Sequence, residues 1–234
     1  MNIHLIRMMR ICAATLAAAT LAGSALAGVG VGQAPAQGTL ERVQRASAVL
    51  PAWARPHGYS LADMARITAA FNVTFDGSVA LPNTPFQILY SRTGSPDPFR
   101  VGQGTVLYVP VAYNDDSLPV IGNFPRNVEN RRELLRYWYS QREFGAVYVD
   151  IVVDGKVHPL GAPYLVGIHF DQPLPDGAKQ YIIPAAFVGP LAPGAHTVEI
   201  RLKATGDAFR EDPIPQYFPD GQWEFSVVYN VSVY

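Results

Sequence analysis

The sequence predicts an all-β body: an antiparallel β-sandwich with one or two peripheral helices. Three observations carry this. Apolar residues recur with a period of two through most of the chain after Asn72, the mark of half-buried strands. Twenty glycines and twenty prolines punctuate those stretches, so corners are frequent. Charged residues make up 16% of the chain and aromatic residues 11%, a balance suited to an all-β body with many corners.

The first 27 residues read as an export leader. "MNIHLIRMMR" carries Arg7 and Arg10 and no acid, "ICAATLAAATLAG" is a short apolar run, and Ala25 and Ala27 supply an A-x-A cleavage site before Gly28. The apolar run is short for a bilayer span, which takes about 20 residues. No cysteine follows the cut, so no lipid anchor is expected, and no transmembrane segment is expected after cleavage. The only cysteine, Cys12, lies in the leader, which leaves a mature chain without disulfides, thiolate metal sites or a cysteine nucleophile. A disulfide-free exported protein of this size fits a bacterial envelope. The compartment expected is the periplasm or the exterior.

Residues 28–56 read as a flexible lead rich in Ala, Gly, Gln and Pro, with a short helix over residues 40–50. The "GVGVG" there follows no strand and opens no helix, so it is not a dinucleotide loop. Residues 57–234 are expected to form a single domain. "SLADMARITAAF" is its best helix. Ser60 can cap it with Asp63 three residues on, and Leu61, Met64, Ile67, Thr68 and Phe71 share a face.

The strands then follow in order. "FNVTF" places Phe71, Val73 and Phe75 on one side before a turn at Asp76 and Gly77. "FQILY" groups Phe86, Ile88 and Tyr90, and "GTVLYVPVAY" alternates Leu107, Val109, Val111 and Tyr113. "GAVYVDIVVDG" alternates Val147, Val149, Ile151 and Val153, then turns at Asp154 and Gly155, a strong hairpin signal. After the corner "GPLAPGAH", Val198, Ile200 and Leu202 face inward, with Thr197, Glu199, Arg201 and Lys203 outward. The last strand sets Trp223, Phe225, Val227, Tyr229, Val231 and Val233 against Glu224, Ser226, Asn230 and Ser232. Two sheets packed face to face accommodate this pattern. Residues 127–144, "NVENRRELLRYWYSQREF", interrupt it. They read as an inserted helix with Val128, Leu135, Trp138 and Arg142 on one face and Gly145 just past its end, although "ELLRYWYS" also fits a strand.

Four stretches in order, "PHGYSLADMARITAAFN", "FRVGQGTVLYVPV", "VDGKV" and "AFVGPLAPGAHTVEIR", resemble a group of secreted bacterial proteins. The resemblance spans about residues 56–234. It implies a signal-bearing β-sandwich of immunoglobulin-like or jelly-roll-like build. No catalytic or binding residue is established for that group, so none is carried over.

Candidate chemistry is sparse. Asp115 and Asp116 in "YNDDSLP" are oxygen donors of the kind calcium accepts, but turn formation explains adjacent acids without an ion. His169 and Asp171 lie two apart, so a strand would put them on one face as a His–Asp pair. With Asp115 and Asp116 they form the set for an alternative reading as a hydrolase of an envelope or extracellular polymer. No G-x-S-x-G elbow, S-x-x-K set or H-E-x-x-H helix occurs, and neither a metal nor another cofactor is expected.

The better hint is "RYWYSQR". Tyr137, Trp138 and Tyr139, flanked by Arg136 and Arg142, can stack on sugar rings or form a protein hot spot. Three consecutive aromatics cannot all face one core, so at least one ring should be exposed. Taking Arg7 and Arg10 from the 18 basic residues leaves 16 against 19 acids, a formal charge of −3. Such a balance does not support nucleic-acid binding. The sequence thus points to a non-enzymatic exported protein binding a glycan or a protein partner. A structural or assembly component is the third reading.

Overall fold

The structure, a computed structural model, describes residues 48–74, 77–90, 98–211 and 213–234. The expected leader, the lead up to residue 47, and Phe75 and Asp76 lie outside the described residues. In chain order the described elements are α1 (Leu61–Val73), β1 (Gln87–Ile88), β2 (Phe99–Val101), β3 (Leu107–Pro110), β4 (Asn114–Asp115), α2 (Arg131–Tyr139), β5 (Ala146–Val153), β6 (Lys156–Pro159), β7 (Leu165–His169), β8 (Gln180–Val188), β9 (Gly194–Ala204) and β10 (Trp223–Val233). The body is β-rich, with two sheets and two helices.

In the first sheet β8 is central. β3 and β4 run antiparallel along one side of it, β7 runs antiparallel along the other, and β1 lies parallel beside β3. The second sheet has the order β2-β10-β9-β5-β6, with β2 parallel to β10 and every other pair antiparallel. Both sheets are therefore mixed, not antiparallel as expected. Both parallel pairs are joined by long connections: between β1 and β3 the chain contributes β2 to the second sheet, and between β2 and β10 it passes through both sheets. Such connections allow the parallel pairing that a two-residue hairpin forbids.

One hydrophobic cluster joins the inner faces of the two sheets. Leu107, Val109, Ile182, Ala186 and Val188 come from the first, and Val149, Ile151, Ile200, Leu202, Phe225 and Tyr229 from the second. The strict alternation of β9 and β10 holds: β10 is buried at every odd residue and exposed at every even one. The outer face of the first sheet is also covered, because α1 packs there on Tyr108, Tyr181, Ile183 and Phe187. Buried on both faces, β8 reads as a continuous apolar run, "YIIPAAFV", not as an alternation.

Five further sequence expectations are corrected. The helix α1 runs on through Phe71 and Val73, so "FNVTF" does not begin a strand. Its buried face is Leu61, Met64, Ala65, Thr68 and Ala69, while Ile67 points outward. Its start is as expected, with Ser60 and Asp63 forming a reciprocal capping box.

In β5 a bulge lies between Ala146 and Tyr148, which leaves Val147 as the extra residue at 56% exposure. The inner face therefore begins at Val149. Residues 48–50 belong to the folded body, not to a flexible lead or a helix. Val49 bridges Val188, Leu50 N–H donates to Phe187 O at 2.9 Å, and Gly189 N–H donates to Ala48 O at 2.7 Å. Finally, α2 buries Leu134, Tyr137 and Trp138, whereas Arg142 lies exposed beyond its end.

Candidate functional site

The acidic corner holds a carboxyl titrating far above its ordinary range. β4 lies against β8 and carries Asp115 inward, at 7% exposure. Its Oδ1 accepts from Ser117 N at 2.9 Å and from Ser117 Oγ at 2.5 Å. Asp116 turns the other way, and its Oδ1 accepts from Lys179 N at 2.7 Å and Gln180 N at 2.9 Å. Both acids thus act as turn and loop ties, as Asx side chains do.

The Asp176 carboxylate lies close enough to act on Asp115. Burial first, and the Asp176 charge second, push Asp115 up to about 7, against the opposing bonds from Ser117. A carboxyl raised in the folded state stabilises fully below its unfolded value, near 3.8. That stabilisation is lost as pH rises through about 7. Asp115→Asn keeps the shape and cannot ionise. At pH 8 it should therefore be more stable than the parent by roughly 1–3 kcal/mol, with no gain at pH 4. Urea denaturation at the two pH values checks this, and equal stabilities at pH 8 would show Asp115 to be solvated.

His169 and Asp171 do not form a dyad. β7 ends at His169, both residues are exposed, and among the described residues no hydrogen bond or ion pair joins them. The His169 carbonyl instead accepts from Arg66 at 2.9 Å. His169 pairs with Gln180 on one side of β8, and Asp116 ties to Lys179 and Gln180 on the other; no three His, Cys, Asp or Glu side chains among the described residues gather where a metal could sit.

The aromatic triplet on α2 divides in the way helical geometry requires. Asn130 caps the helix by accepting from Arg132 N and Glu133 N, and Arg131 ties it to the carbonyls of Leu165 and Ala162. Tyr137 is 2% exposed, lies against Phe124, and donates from its hydroxyl to Ile121 O at 2.7 Å. Asn114 donates to the same hydroxyl. Trp138 is 1% exposed and stacks on Phe144 at 4.2 Å. Only Tyr139, at 41%, reaches solvent, near exposed Arg136 and Arg142. Tyr137 and Trp138 are core residues, so neither ring is on the surface for a ligand to stack on.

The structure exposes a different aromatic surface at residues 51–67. A turn closed by Ala54 N–H on Pro51 O at 2.8 Å holds Trp53 outward at 83% exposure. Next comes a 3-10 turn at Pro56–Gly58. There the rings of His57 and Tyr59 stand edge-on to buried Phe86 at 5.4 and 5.7 Å. The outward face of α1 then adds Asp63, Arg66 and Ile67. His57, Tyr59, Asp63, Arg66 and Ile67 line an open groove of about 390 Å³.

Arg66 is steadied over the Phe170 ring at 5.3 Å and lies 3.9 Å from Glu129. Bonds from Ser60 hold the Asp63 carboxyl below its usual range, so it stays ionised. Sequence reading assigned this stretch to a lead and a packing helix. The signals were there, in "PAWARPHGY" before a capping box and in Arg66 on the face opposite Met64 and Thr68.

The fold defines a β-rich protein of two mixed sheets and two helices. No family model, no curated protein and no solved structure matches the chain.

Proposed function

We propose that the protein is a non-enzymatic, exported bacterial binding protein of the β-sandwich type, immunoglobulin-like or jelly-roll-like, whose ligand is a glycan or a protein partner. The observation that carries this is the surface at residues 51–67: Trp53 held outward in an ordered turn, four residues ahead of His57 in a groove lined by rings and by groups of both charges. Nothing in the core uses the Trp53 ring. An aromatic face offers area at low entropic cost, and convergent polar groups fix orientation. His57, Asp63 and Arg66 supply donors and acceptors together, which suits the hydroxyls of a sugar better than a purely apolar partner. Export is supported by the basic, apolar and A-x-A pattern of residues 1–27, and the sandwich type by two sheets sharing one inner cluster. Resemblance to the secreted bacterial group supports both.

Trp53→Ala tests the reading. Its melting temperature should match the parent within about 1 °C, since an exposed ring contributes little to stability. Retention on envelope polysaccharide should fall at least tenfold, which is about 1.4 kcal/mol. Unchanged retention of polysaccharide and of co-purifying proteins alike would remove this surface from the function. Cleavage of the polysaccharide by the parent, abolished in Asp115→Asn, would install the hydrolase reading instead. The buried Asp115, its carboxyl pushed up to about 7 by burial and by Asp176, is what favours that second reading.

A further inference from the structure

At the far end of the second sheet, both ring nitrogens of His196 face oxygen atoms. Nδ1 lies 2.7 Å from Asp154 Oδ2, and Nε2 lies 2.7 Å from Ala192 O. A backbone carbonyl and a carboxylate oxygen are both acceptors, and a neutral imidazole has a single N–H. Only the imidazolium can make both bonds. The Asp154 carboxylate is fixed as well, because its Oδ1 accepts from Thr197 N at 2.9 Å, and its backbone sits at φ 49° in the β5–β6 turn ahead of Gly155 at φ 79°. Neutral His196 must therefore give up one bond. The carboxylate is the stronger acceptor, so the bond to Ala192 is the one released.

We propose that His196 is a pH-operated latch: as a cation it ties the corner at residues 189–193 to the β5–β6 turn, and when it loses a proton it frees that corner. Gly189 at φ 97° and Gly194 at φ 136° bracket it, conformations open to glycine, and Ala192 is its tether to His196. The latch also forms one wall of a pocket of about 280 Å³, whose other members include Pro98, Thr197, Asn230 and Ser232. Releasing the corner changes the rim of that pocket.

The surroundings are consistent. β10 faces the ring with Val231 in register and Asn230 and Ser232 on either side, none of which ionises. Among the described residues Asp154 is the charged group acting on the ring. The bond from Asp154 raises the His196 imidazole above its ordinary value, with help from Ala192 O and against partial burial. Partial burial raises the Asp154 carboxyl, and the bonds from His196 and Thr197 outweigh it and hold the group low. The sign follows: a histidine raised in the folded state stabilises fully below about 6.5. That contribution is lost as pH climbs through the folded value. The latch is closed in acid and open in base, and it stands independently of the binding surface at residues 51–67.

The test is an NMR titration of the intact protein between pH 5 and 9, read at the His196 ring and at the amides of Leu191 and Ala192. His196 should titrate above 6.5, and protection factors at the corner should fall about tenfold with the same midpoint. Asp154→Asn removes the carboxylate while keeping its shape, and should move both midpoints down together. His196→Gln, which carries no titrating proton, should leave corner protection independent of pH. If either variant fails to fold, the other and the parent titration still decide. A His196 midpoint at or below 6.5, or corner protection that does not follow it, overturns the latch.

Discussion

Trp138→Ala should lower the unfolding free energy by about 3–5 kcal/mol, the range for removing a large ring from a packed core. The ring is fully buried and stacks on Phe144 at an interplanar angle of 17°. Phe144 in turn meets Phe209 at 5.5 Å and Trp223 at 5.9 Å. Trp138 therefore joins α2 to a chain of rings that reaches the start of β10.

Little can relax into the space left behind. The Asn130 cap and Arg131 fix α2 at its start, and Phe144 N–H, bound to Tyr137 O at 3.2 Å, fixes the chain after it. Urea denaturation with near-ultraviolet circular dichroism measures the loss. Tyr139→Ala is the control and should cost within about 0.5 kcal/mol. A loss below about 1 kcal/mol for Trp138→Ala would mean that α2 lies loosely on the sheets. The segment would then return as a candidate surface.

The contrast between those two neighbours shows what the sequence could and could not tell. Helical geometry requires consecutive rings to fan apart by about 100°, and that much was readable. Which ring points out depends on what lies beside α2. The partners of Tyr137 are Phe124 and Ile121 O, which no local pattern names. β9 and β10 were legible because one face of the second sheet meets water, so burial alternates with residue number. β8 was not, because α1 covers the side that would otherwise have been polar. β7 is short, and β1 and β2 are two and three residues long, below any periodicity. The Val147 bulge shifted the phase of β5 for the same reason: an inserted residue is a property of the pairing, not of the strand's own sequence.

Sites fared similarly. His169 and Asp171 looked like a pair because they are close in sequence. His196 and Asp154 are a pair, and they lie 42 residues apart. The signal for them was topological: a turn at Asp154 and Gly155 on one strand, and the "PGAH" corner on the strand next to it. It becomes visible only once β5 and β9 are known to be neighbours.

Gly206→Ala should be as damaging as the loss of Trp138, by a different mechanism. Gly206 follows β9 and crosses the chain that leads from α2 into β5. A Cβ built on it would lie 1.8 Å from Glu143 O and 2.7 Å from the carbonyl carbons of Glu143 and Phe144. Those are backbone atoms and cannot swing away. Three hydrogen bonds lace the same crossing: Thr205 N–H to Gly145 O at 3.0 Å, Gly206 N–H to Phe144 O at 3.2 Å, and Asp207 N–H to Gln141 O at 2.6 Å. Gly145 faces Gly206 from the α2–β5 segment at φ 61°, where a side chain would be strained as well as crowded. A methyl group must part the two backbones by about an ångström, which breaks the lacing and drags Phe144 out of the ring cluster. A loss of about 4 kcal/mol or more is expected, in the range reserved for disrupted backbones and cores. Gly102→Ala is the control, with nothing within 4 Å of its Cβ, and should change stability by no more than about 0.5 kcal/mol. Equal stability of the two variants in urea would show that the β9 exit and the α2–β5 corner do not touch, and the closed end of the core would have to be redrawn.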